Sequence, residues 1–381
     1  MALFTVNFSH CQKDYLPAGP FLFTTDCEQG LHFFEKFQEI PTKGAAAVKF
    51  FSIGDDLFLV FANFEGDKSG NQAKSVVYKM ENNRFILIQT LSTHGARSIE
   101  HFTIDGVHYM AIANLYDGSY KLNSVIYKWS TDKFQEFQVI STNGASGFKF
   151  FTIERDHYLA VAENYNGSTN SIDSSVYKWQ QGRFVKYQNI PTDGTEACDS
   201  IVISNETFLV YANHYHSQKK CNVESSVYKW SGGHFVKFQA VKTQGTYSAK
   251  FFRVNGHVFL AFAHHYTGSK HNTKSPIYKW DGVKFALFQE IPTQGAMEIQ
   301  SFEMNGEMFL AVANEYGDSG GYSVRSAVYK ASGAQFTLYQ ELQTFGAHGV
   351  HAIVHKGGSY LLFANNFLDS YNINSFVYKL T

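Results

Sequence analysis

The sequence contains few of the features that mark membrane or nucleic-acid-binding proteins. Its 381 residues include four cysteines and six prolines, and 32 basic residues nearly balance 33 acidic ones. No apolar run reaches the roughly 18 residues of a transmembrane helix, so no membrane insertion is expected. The balanced charge also lacks the basic surplus typical of nucleic-acid binding. Membrane insertion and nucleic acid are therefore excluded from the expected functions.

Signatures of catalysis are absent as well. The sequence has no Gly-x-Ser-x-Gly elbow, no His-Glu-x-x-His zinc motif and no glycine loop for binding phosphate. Carboxylates are numerous, but no asymmetric pair stands out for general acid and base chemistry. The sequence therefore predicts a protein that is not an enzyme.

The four cysteines and the N-terminus leave the compartment open. No Cys-x-x-Cys pair occurs, so a zinc site is not predicted. The cysteines form either two disulfides, Cys11–Cys27 and Cys198–Cys221, or free buried thiols. The start, MALFTVNFSHCQKDY, lacks the charged segment and long apolar core of a signal peptide. Three glycosylation sequons, which are typical of extracellular proteins, begin at Asn7, Asn166 and Asn205.

A repeat of about 50 residues runs through the chain. A Ser-x-(Val/Ile)-Tyr-Lys string occurs seven times, and successive copies are 49 to 51 residues apart. So regular a period indicates a repeat architecture, because a unit this small cannot bury a core alone. The tyrosines of the seven copies are Tyr78, Tyr127, Tyr177, Tyr228, Tyr278, Tyr329 and Tyr378.

Each repeat contains the signals of four short strands. Phe-x-x-x-Gln is followed by Thr-x-Gly, a strand, a tight Asp-Gly or Asn-Gly turn, a second strand and a long polar loop. Ser-x-(Val/Ile)-Tyr-Lys closes the unit. Seven such units predict an all-β protein, a seven-bladed β-propeller of four-stranded antiparallel blades. An open β-solenoid is the alternative.

The two ends of the chain favour the closed ring over the solenoid. The chain stops at Thr381, directly after its seventh Val-Tyr-Lys, so the last blade lacks an outer strand. The segment Phe34–Gln38 supplies one extra copy at the other end. We therefore expect the N-terminal strand to complete the C-terminal blade and to protect its edge. The predicted organisation is an N-terminal extension, residues 1–30, followed by a propeller, residues 31–381.

The Ser-x-(Val/Ile)-Tyr-Lys motif has a structural interpretation. Strand alternation places Ser, Val and Lys on one face of a blade, and Tyr and the following Trp on the other. Large aromatic side chains fill the space between wedge-shaped blades, and their polar tips can reach a partner. We expect this motif to pack the blades rather than to bind a ligand.

The repeat resembles the EAR repeat, also called the EPTP or epitempin repeat. The resemblance rests on Phe-x-x-(aromatic)-Gln-x-(Leu/Ile)-x-Thr-x-Gly-Ala, (Tyr/Phe)-Leu-x-(Val/Phe)-Ala-Asn and Ser-x-(Val/Ile)-Tyr-Lys-Trp, and it covers residues 31–381. It implies a seven-bladed propeller used for recognition outside the cell, without catalysis, as in the LGI proteins. A calcium ion in the propeller is also implied by this resemblance.

The long loop of each repeat is the candidate binding site. Each loop has Ala, a polar residue and then an aromatic one, surrounded by Asn, Asp, Gly, Ser and His. In one interpretation the Asn caps the strand and the aromatic covers the rim of the blade. In the other, aromatic plates beside amides bind sugars, and several weak sites give avidity. The candidate residues are Phe64, Asn114, Tyr116, Asn164, Tyr165, Asn213, Tyr215, His265, Tyr266, Asn314, Tyr316, Asn365 and Phe367.

The functional prediction from these loops is a multivalent, lectin-like propeller. Its expected partners are glycans or glycoproteins of the cell surface, and its expected location is extracellular. The alternative is an adhesion or signalling ligand that binds a protein receptor, as the resemblance to LGI-type propellers implies. A protein partner would need only one unsymmetrical patch, whereas glycan avidity would use all loops.

A second pattern lies five residues after each Thr-x-Gly glycine. Charges alternate over the first five members of this set, so neighbouring blades are expected to form a belt of ion pairs. Alternatively, Glu100 and Asp199 hold an ion in the channel, which the resemblance suggests is Ca²⁺. The set comprises Lys49, Glu100, Lys149, Asp199, Lys250, Gln300 and His351.

Overall fold

The computed structural model describes residues 33–218, 220–333 and 335–381. The extension predicted over residues 1–30, the Cys11–Cys27 disulfide and the sequon at Asn7 lie outside the described residues. Within the described ranges the chain forms 28 β-strands, arranged as seven antiparallel sheets of four strands each.

We number the seven blades in chain order. Blade 1 contains β2 (Ala45–Ile53), β3 (Asp56–Asn63), β4 (Ser75–Glu81) and β5 (Arg84–Leu91). Blade 2 contains β6 (Ala96–Ile104), β7 (Val107–Asn114), β8 (Lys121–Ser130) and β9 (Lys133–Asn143). Blade 3 contains β10 (Ala145–Ile153), β11 (Asp156–Glu163), β12 (Ser171–Gln180) and β13 (Arg183–Asp193).

The remaining four blades have the same strand order. Blade 4 contains β14 (Thr195–Ile203), β15 (Glu206–Asn213), β16 (Glu224–Ser231) and β17 (His234–Lys242). Blade 5 contains β18 (Thr246–Val254), β19 (His257–His264), β20 (Asn272–Trp280) and β21 (Phe285–Gln294). Blade 6 contains β22 (Ala296–Met304), β23 (Glu307–Asn314), β24 (Arg325–Ser332) and β25 (Gln335–Gln343). Blade 7 contains β26 (Ala347–His355), β27 (Gly358–Asn365), β28 (Asn372–Leu380) and β1 (Phe34–Lys43).

The ring closes as the sequence predicted. Strand β1 pairs with β28 in antiparallel register, from Phe34 opposite Leu380 to Lys43 opposite Asn372. The first strand of each blade contacts the first strands of both neighbouring blades, including β2 with β26, so these seven strands surround a central channel. The architecture is a closed seven-bladed β-propeller, and the solenoid alternative is excluded.

The apolar core lies between the blades. Seven clusters of buried residues occur, one between each pair of neighbouring blades. Between blades 1 and 2, for example, Phe51 and Phe58 pack against Met110, Tyr127 and Phe134. A single four-stranded blade buries neither of its faces alone, so the free energy of folding depends on stacking neighbouring blades.

The repeated tyrosine fills this interface, as predicted. Tyr127 and Trp129 pack in the same inter-blade cluster, and Tyr127 is 3% exposed. Six of the seven tyrosine hydroxyls donate a hydrogen bond to a backbone carbonyl of the preceding blade. The shortest, from Tyr378 to the carbonyl of Gln343, is 2.6 Å. The motif therefore joins each blade to the one before it.

The repeated Phe-x-x-x-Gln joins the outer strands of adjacent blades. In each copy the glutamine side chain accepts a hydrogen bond from the backbone N–H of the next blade's phenylalanine and donates one to its carbonyl. Gln188, for instance, bonds the Phe235 N–H at 2.8 Å and the Phe235 carbonyl at 2.8 Å. The seventh copy joins Gln340 to Phe34 and closes the ring. We call these seven contacts the glutamine latches.

Candidate functional site

The long loops and the Thr-x-Gly segments share one end of the propeller, which we call the loop face. In each repeat the glycine N–H donates to a carbonyl in the preceding blade's loop, and the glycine carbonyl accepts a bond from its own blade's loop. Gly95 does this with Asn71 and Leu115. These glycines have φ near +50°, and a Cβ there would lie closer than 3.0 Å to a loop carbonyl. The Thr-x-Gly segments thus tie neighbouring loops together.

The asparagines that begin the loops hold the loop backbone. The Asn114 side chain accepts a hydrogen bond from the His94 N–H and donates one to the Asn123 carbonyl, and Asn114 is 1% exposed. Both ends of each such amide are therefore engaged within the fold. The candidates bound in this way are Asn114, Asn213, Asn314 and Asn365.

Three of the sequence candidates, Phe64, Asn164 and His265, occupy a different repeat position from the one assumed. The carbonyl of Glu65, and not that of Phe64, lies against Gly44 as the carbonyl of Tyr116 lies against Gly95. Phe64 corresponds instead to Leu115, because both donate their N–H to the glycine of the same repeat. Asn164 and His265 share this second position. The aromatic series is therefore interrupted in blade 1, where glutamate replaces tyrosine.

The loop aromatics are joined unequally around the ring. Additional aromatic residues connect the loops of blades 5, 6 and 7 into one series, whose successive ring centroids are 4.6 to 5.0 Å apart. We call this series the aromatic arc. It consists of Tyr266, His271, Tyr316, Tyr322, Phe367 and Tyr371, all of them partly exposed.

Elsewhere on the loop face the series of neighbouring loop aromatics is shorter. Tyr116, Tyr120 and Tyr165 form a separate group in blades 2 and 3, with centroid distances of 4.6 and 4.8 Å. At the position of Tyr120, blade 3 has Asn170 and blade 4 has Cys221. The candidate Tyr215 therefore has no direct ring contact with Tyr165 or Tyr266. Its only route to the arc among the described residues runs through rings at the channel mouth, from His214 and Tyr247 to His265 and His271. The seven loops are not seven copies of one site.

Carboxylates fix the loops at both ends of the aromatic arc. Asp318 of blade 6 accepts hydrogen bonds from the His271 and Asn272 N–H groups of blade 5, at 2.8 and 3.3 Å. Asp67 of blade 1 accepts one from the Tyr371 N–H of blade 7, at 2.9 Å. These bonds between neighbouring loops hold the arc in one conformation before any partner binds.

Polar side chains cross the channel directly beneath the loop face. Some of them are the second residue of a blade's first strand, which lines the channel. The others come from the loop position that Asn164 and His265 occupy. We call this set the channel-mouth network. In bonding order it contains Asn164, Glu196, Arg97, His348, Glu315 and His265.

Arg97 is the residue that spans the channel. Its guanidinium lies 2.9 Å from His348 Nδ1 of blade 7 and 3.6 Å from Glu196 of blade 4, and it stacks over Tyr247 of blade 5. Arginine is always a donor, so His348 Nδ1 accepts this bond and His348 Nε2 carries the proton. Arg97 of blade 2 thus connects three blades that are not its neighbours.

A carboxylate shared by two histidines completes the network. Glu315 lies 2.8 Å from His348 Nε2 and 2.5 Å from His265 Nε2. Burial alone would raise the pKa of Glu315, but the two histidines outweigh it and hold that pKa well below its usual value. Burial lowers the pKa of His348 despite this carboxylate. Glu315 therefore stays ionised at neutral pH, next to Tyr316 of the aromatic arc.

The sequence analysis did not identify Arg97, Tyr247, Glu315 or His348. The sequence does contain an indication of this site, because the second residue of the channel-lining strand is of a different type in each of the seven blades. A search for residues that repeat in every blade does not find this position, because its residue changes from blade to blade. The residues there are Ala46, Arg97, Ser146, Glu196, Tyr247, Met297 and His348.

The charge belt predicted deeper in the channel forms ion pairs between blades. Glu100 lies 3.3 Å from Lys49 and 3.8 Å from Lys149, and Asp199 lies 3.0 Å from Lys149 and 3.8 Å from Lys250. Glu100 and Asp199 also accept backbone N–H bonds.

This donor set does not fit a calcium ion. The two carboxylates already face three ammonium groups, which would repel a divalent cation, and calcium requires six to eight oxygen ligands. Over the described residues, no group of three or more His, Cys, Asp or Glu side chains is arranged to hold a metal. We therefore assign no role to a channel calcium ion.

The cysteines and sequons of the described residues have separate locations. Cys198 and Cys221 are free thiols, so the disulfide considered between them is absent, and Cys198 is buried in the core. Asn166 lies in the blade 3 loop, where its side chain accepts bonds from Ser168 and Thr169. Asn205 lies in the turn that joins β14 and β15.

In the part of the chain that the structure describes, no helix has the length and apolar character needed to cross a membrane.

Comparison with solved structures supports the fold. The Cps50 (Swd1) β-propeller domain of Myceliophteria thermophila covers 91% of this chain and 100% of its own, with a TM-score of 0.61 and 11% identity. The N-terminal domain of Nup159 covers 92% of this chain and 95% of its own, with a TM-score of 0.51 and 9% identity. At these identities the likeness shows the propeller fold alone.

Sequence comparison is more specific. An 87-residue segment is 44% identical to the thrombospondin-type laminin G domain and EAR repeat-containing protein of Homo sapiens and 39% identical to that of Mus musculus. The match covers 22% of this chain and 13% of each relative. The EPTP domain family matches six consecutive repeats, at residues 34–79, 84–130, 133–180, 183–231, 234–281 and 284–330. Since these matches cover most of the chain, the protein belongs to the EPTP domain family.

Proposed function

We propose that this protein is a non-catalytic recognition propeller that binds one protein partner through the aromatic arc of its loop face. The observation that carries this proposal is the asymmetry of the loop face. At the repeat positions that form the arc, aromatic residues are continuous over blades 5 to 7 and are interrupted at Glu65 and Cys221. One extended patch suits a single protein interface, since a few aromatic anchors near its centre dominate the affinity.

The rigidity of the arc supports the same function. Inter-loop bonds from Asp318 and Asp67 fix its two ends, and Glu315 fixes the backbone beside Tyr316 through two histidines. A surface that is ordered before binding loses less conformational entropy on binding. Membership of the EPTP family supports a role in interaction, and an extracellular location is part of this proposal.

Glycan binding, which the sequence favoured, makes a different use of the loops. Similar weak sites in every blade would be needed for avidity, and the amides expected to contact sugars bind the loop backbone instead. We therefore prefer a protein partner. Glycan binding predicts a different result in the cell-binding experiment below.

The proposal is tested with Tyr316→Ala, in the middle of the arc, and Tyr165→Ala, at the same repeat position outside it. Fluorescent tetramers of each folded variant are applied to cultured vertebrate cells and binding is measured by flow cytometry. We expect Tyr316→Ala to reduce apparent affinity by about tenfold or more and Tyr165→Ala to change it less than about twofold. Trypsin treatment of the cells should abolish binding, whereas glycosidase treatment should preserve it.

The opposite pattern would support glycan recognition. In that case the two variants reduce avidity by similar, modest factors that compound when combined, and glycosidases remove the signal. Equal effects of the two substitutions would therefore defeat the single-patch proposal.

A further inference from the structure

The charge belt is asymmetric around the channel. Its signs alternate from Lys49 through Asp199 to Lys250, but the next two members, Gln300 and His351, carry no compensating acid. The belt therefore contains three ammonium groups and two carboxylates. We call the segment between Lys250 and Lys49, occupied by Gln300 and His351, the charge gap.

Two lysines at equivalent repeat positions show the effect of the gap. Lys149 lies between two carboxylates, 3.0 Å from Asp199 and 3.8 Å from Glu100, and Asp199 raises its pKa above the usual value. Among the described residues, Lys250 has one carboxylate within 4 Å, that of Asp199 at 3.8 Å, and burial lowers the pKa of Lys250 against the effects of Asp199 and Glu100. The Lys250 side chain is 23% exposed, and a largely enclosed ammonium group with a single close carboxylate favours an additional negative charge nearby.

The polar groups that line the gap are hydrogen-bond donors. His351 Nδ1 accepts a bond from the Phe50 N–H, at 3.3 Å, so its proton lies on Nε2. The described residues supply no acceptor for that Nε2–H. The Gln300 amide nitrogen makes only a 3.4 Å contact, with the carbonyl of Ser301. Burial lowers the pKa of His351 well below the usual value, and Lys49 and Lys250 add to this effect, so His351 remains neutral.

These donors line an open pocket of suitable size in the central channel. A cavity of about 130 Å³ lies in the channel, lined by the charge belt on one side and by Arg97 and His348 of the channel-mouth network on the other. That volume exceeds what a single water molecule requires. The gap therefore combines space, an excess of ammonium groups over the carboxylates of the belt, and hydrogen-bond donors that line the channel.

We propose that the central channel binds one small monovalent anion, chloride or a small carboxylate such as formate, between Lys49, Lys250, Gln300 and His351. The anion restores the alternation of charge and accepts hydrogen bonds from both ammonium groups and from His351 Nε2–H. It lies beneath the channel-mouth network and is independent of the partner-binding surface.

Glu298 is the acid that would compete with such an anion. Its carboxyl lines the same cavity and accepts a bond from the Val350 N–H at 2.8 Å. Burial raises its pKa to about 7, against the opposing effects of Val350, Lys250, Lys49 and Arg97. The decisive measurement is therefore made at pH 6, where the Glu298 carboxyl is mostly protonated.

The test uses the full chain and replaces gluconate by chloride, bromide or formate at constant ionic strength. We expect each small anion to raise the melting temperature along a saturating curve, because it binds the folded state alone. Crystals soaked in bromide should show an anomalous peak between Lys250 and His351. Loss of both results in the wild-type protein would overturn the proposal.

Gln300→Glu supplies the missing acid, and Gln135→Glu makes the same chemical change on the exposed outer strand β9. Gln300→Glu should weaken the apparent halide affinity by at least about tenfold, because a fixed carboxylate in the gap repels the anion. Gln135→Glu should retain the wild-type curve. Identical halide curves for all three proteins would reveal a general salt effect and reject the site.

Discussion

The outer strands and the channel-lining strands of the same blades differ in how closely they repeat. All seven outer strands carry the same glutamine latch, down to the pair of atoms that bond. At the channel, the second position changes from Ala46 through Arg97 and Tyr247 to His348. Each latch faces an identical neighbour, whereas the channel residues face one another across the axis.

This difference separates ring formation from recognition. A residue that must bond the next blade has the same partner seven times, so its identity repeats. A channel residue can meet a unique partner, as Arg97 meets His348 from a blade that is not its neighbour. The variable layer can therefore hold one asymmetric arrangement inside a symmetric frame. Three experiments address the comparison, in order of expected effect.

Removal of strand β1 is the strongest test of the repeated frame. Deletion of residues 1–43 leaves blade 7 with three strands, exposes the edge of β28 and removes Phe34, the latch partner of Gln340. We expect loss of cooperative unfolding and aggregation, since an open sheet edge pairs with other chains. Circular dichroism melting and size-exclusion chromatography measure both.

The matched control is a deletion of residues 1–30, which retains β1. That protein should remain monomeric and melt cooperatively. A monomeric 1–43 deletion with the wild-type melting temperature would contradict the role of β1 in closing the ring.

The second experiment compares two tyrosines of blade 4. Tyr228 belongs to the repeated frame, is 6% exposed and donates a 3.1 Å bond to the Pro191 carbonyl. Tyr228→Ala should lower the free energy of unfolding by about 3 kcal/mol or more, because it leaves a cavity between blades. Tyr215→Ala, in the partly exposed loop of that blade, should cost less than about 1 kcal/mol. Urea denaturation that gave equal losses would remove the distinction between frame and loop.

The repeated frame could be predicted from the sequence because its interactions are local or strictly periodic. The tyrosine spacing indicated the blade number, and the extra Phe34–Gln38 segment indicated closure. The sequence showed the glutamine of each latch as part of a repeated motif. It did not show which atoms the glutamine bonds, because that depends on how closely adjacent outer strands lie in the structure.

The candidate site was predicted less well because it depends on contacts between different repeats. Alignment by residue type placed Phe64 with the loop tyrosines, but the backbone bond to Gly44 places it with Leu115. The long loops, which the sequence identified as the candidate site, lie with the Thr-x-Gly segments on the loop face. Its asymmetry was missed, because it arises from His271, Tyr322 and Tyr371, which lie between the repeated positions.

The last experiment addresses the unrepeated layer through Glu315. Its folded-state pKa lies well below the ordinary value of 4.5, so its stabilising effect is fully present above that pH. The effect is lost as pH falls through the folded-state pKa. Glu315→Gln removes the charge from two hydrogen bonds to His265 and His348 and should cost about 2 kcal/mol at pH 7. The difference from wild type should shrink steadily below pH 4.5.

Glu307→Gln is the control, because Glu307 forms an exposed ion pair with Lys330 on a β-hairpin. Exposed pairs contribute little to stability, so this variant should follow the wild-type curve at every pH. Chemical denaturation from pH 7 to pH 2 measures all three proteins. If the Glu315→Gln loss were absent at pH 7, or constant over this range, the ionised carboxylate would not hold the channel-mouth network together. In that case the contacts between the repeated strands alone would hold the channel-mouth network in place.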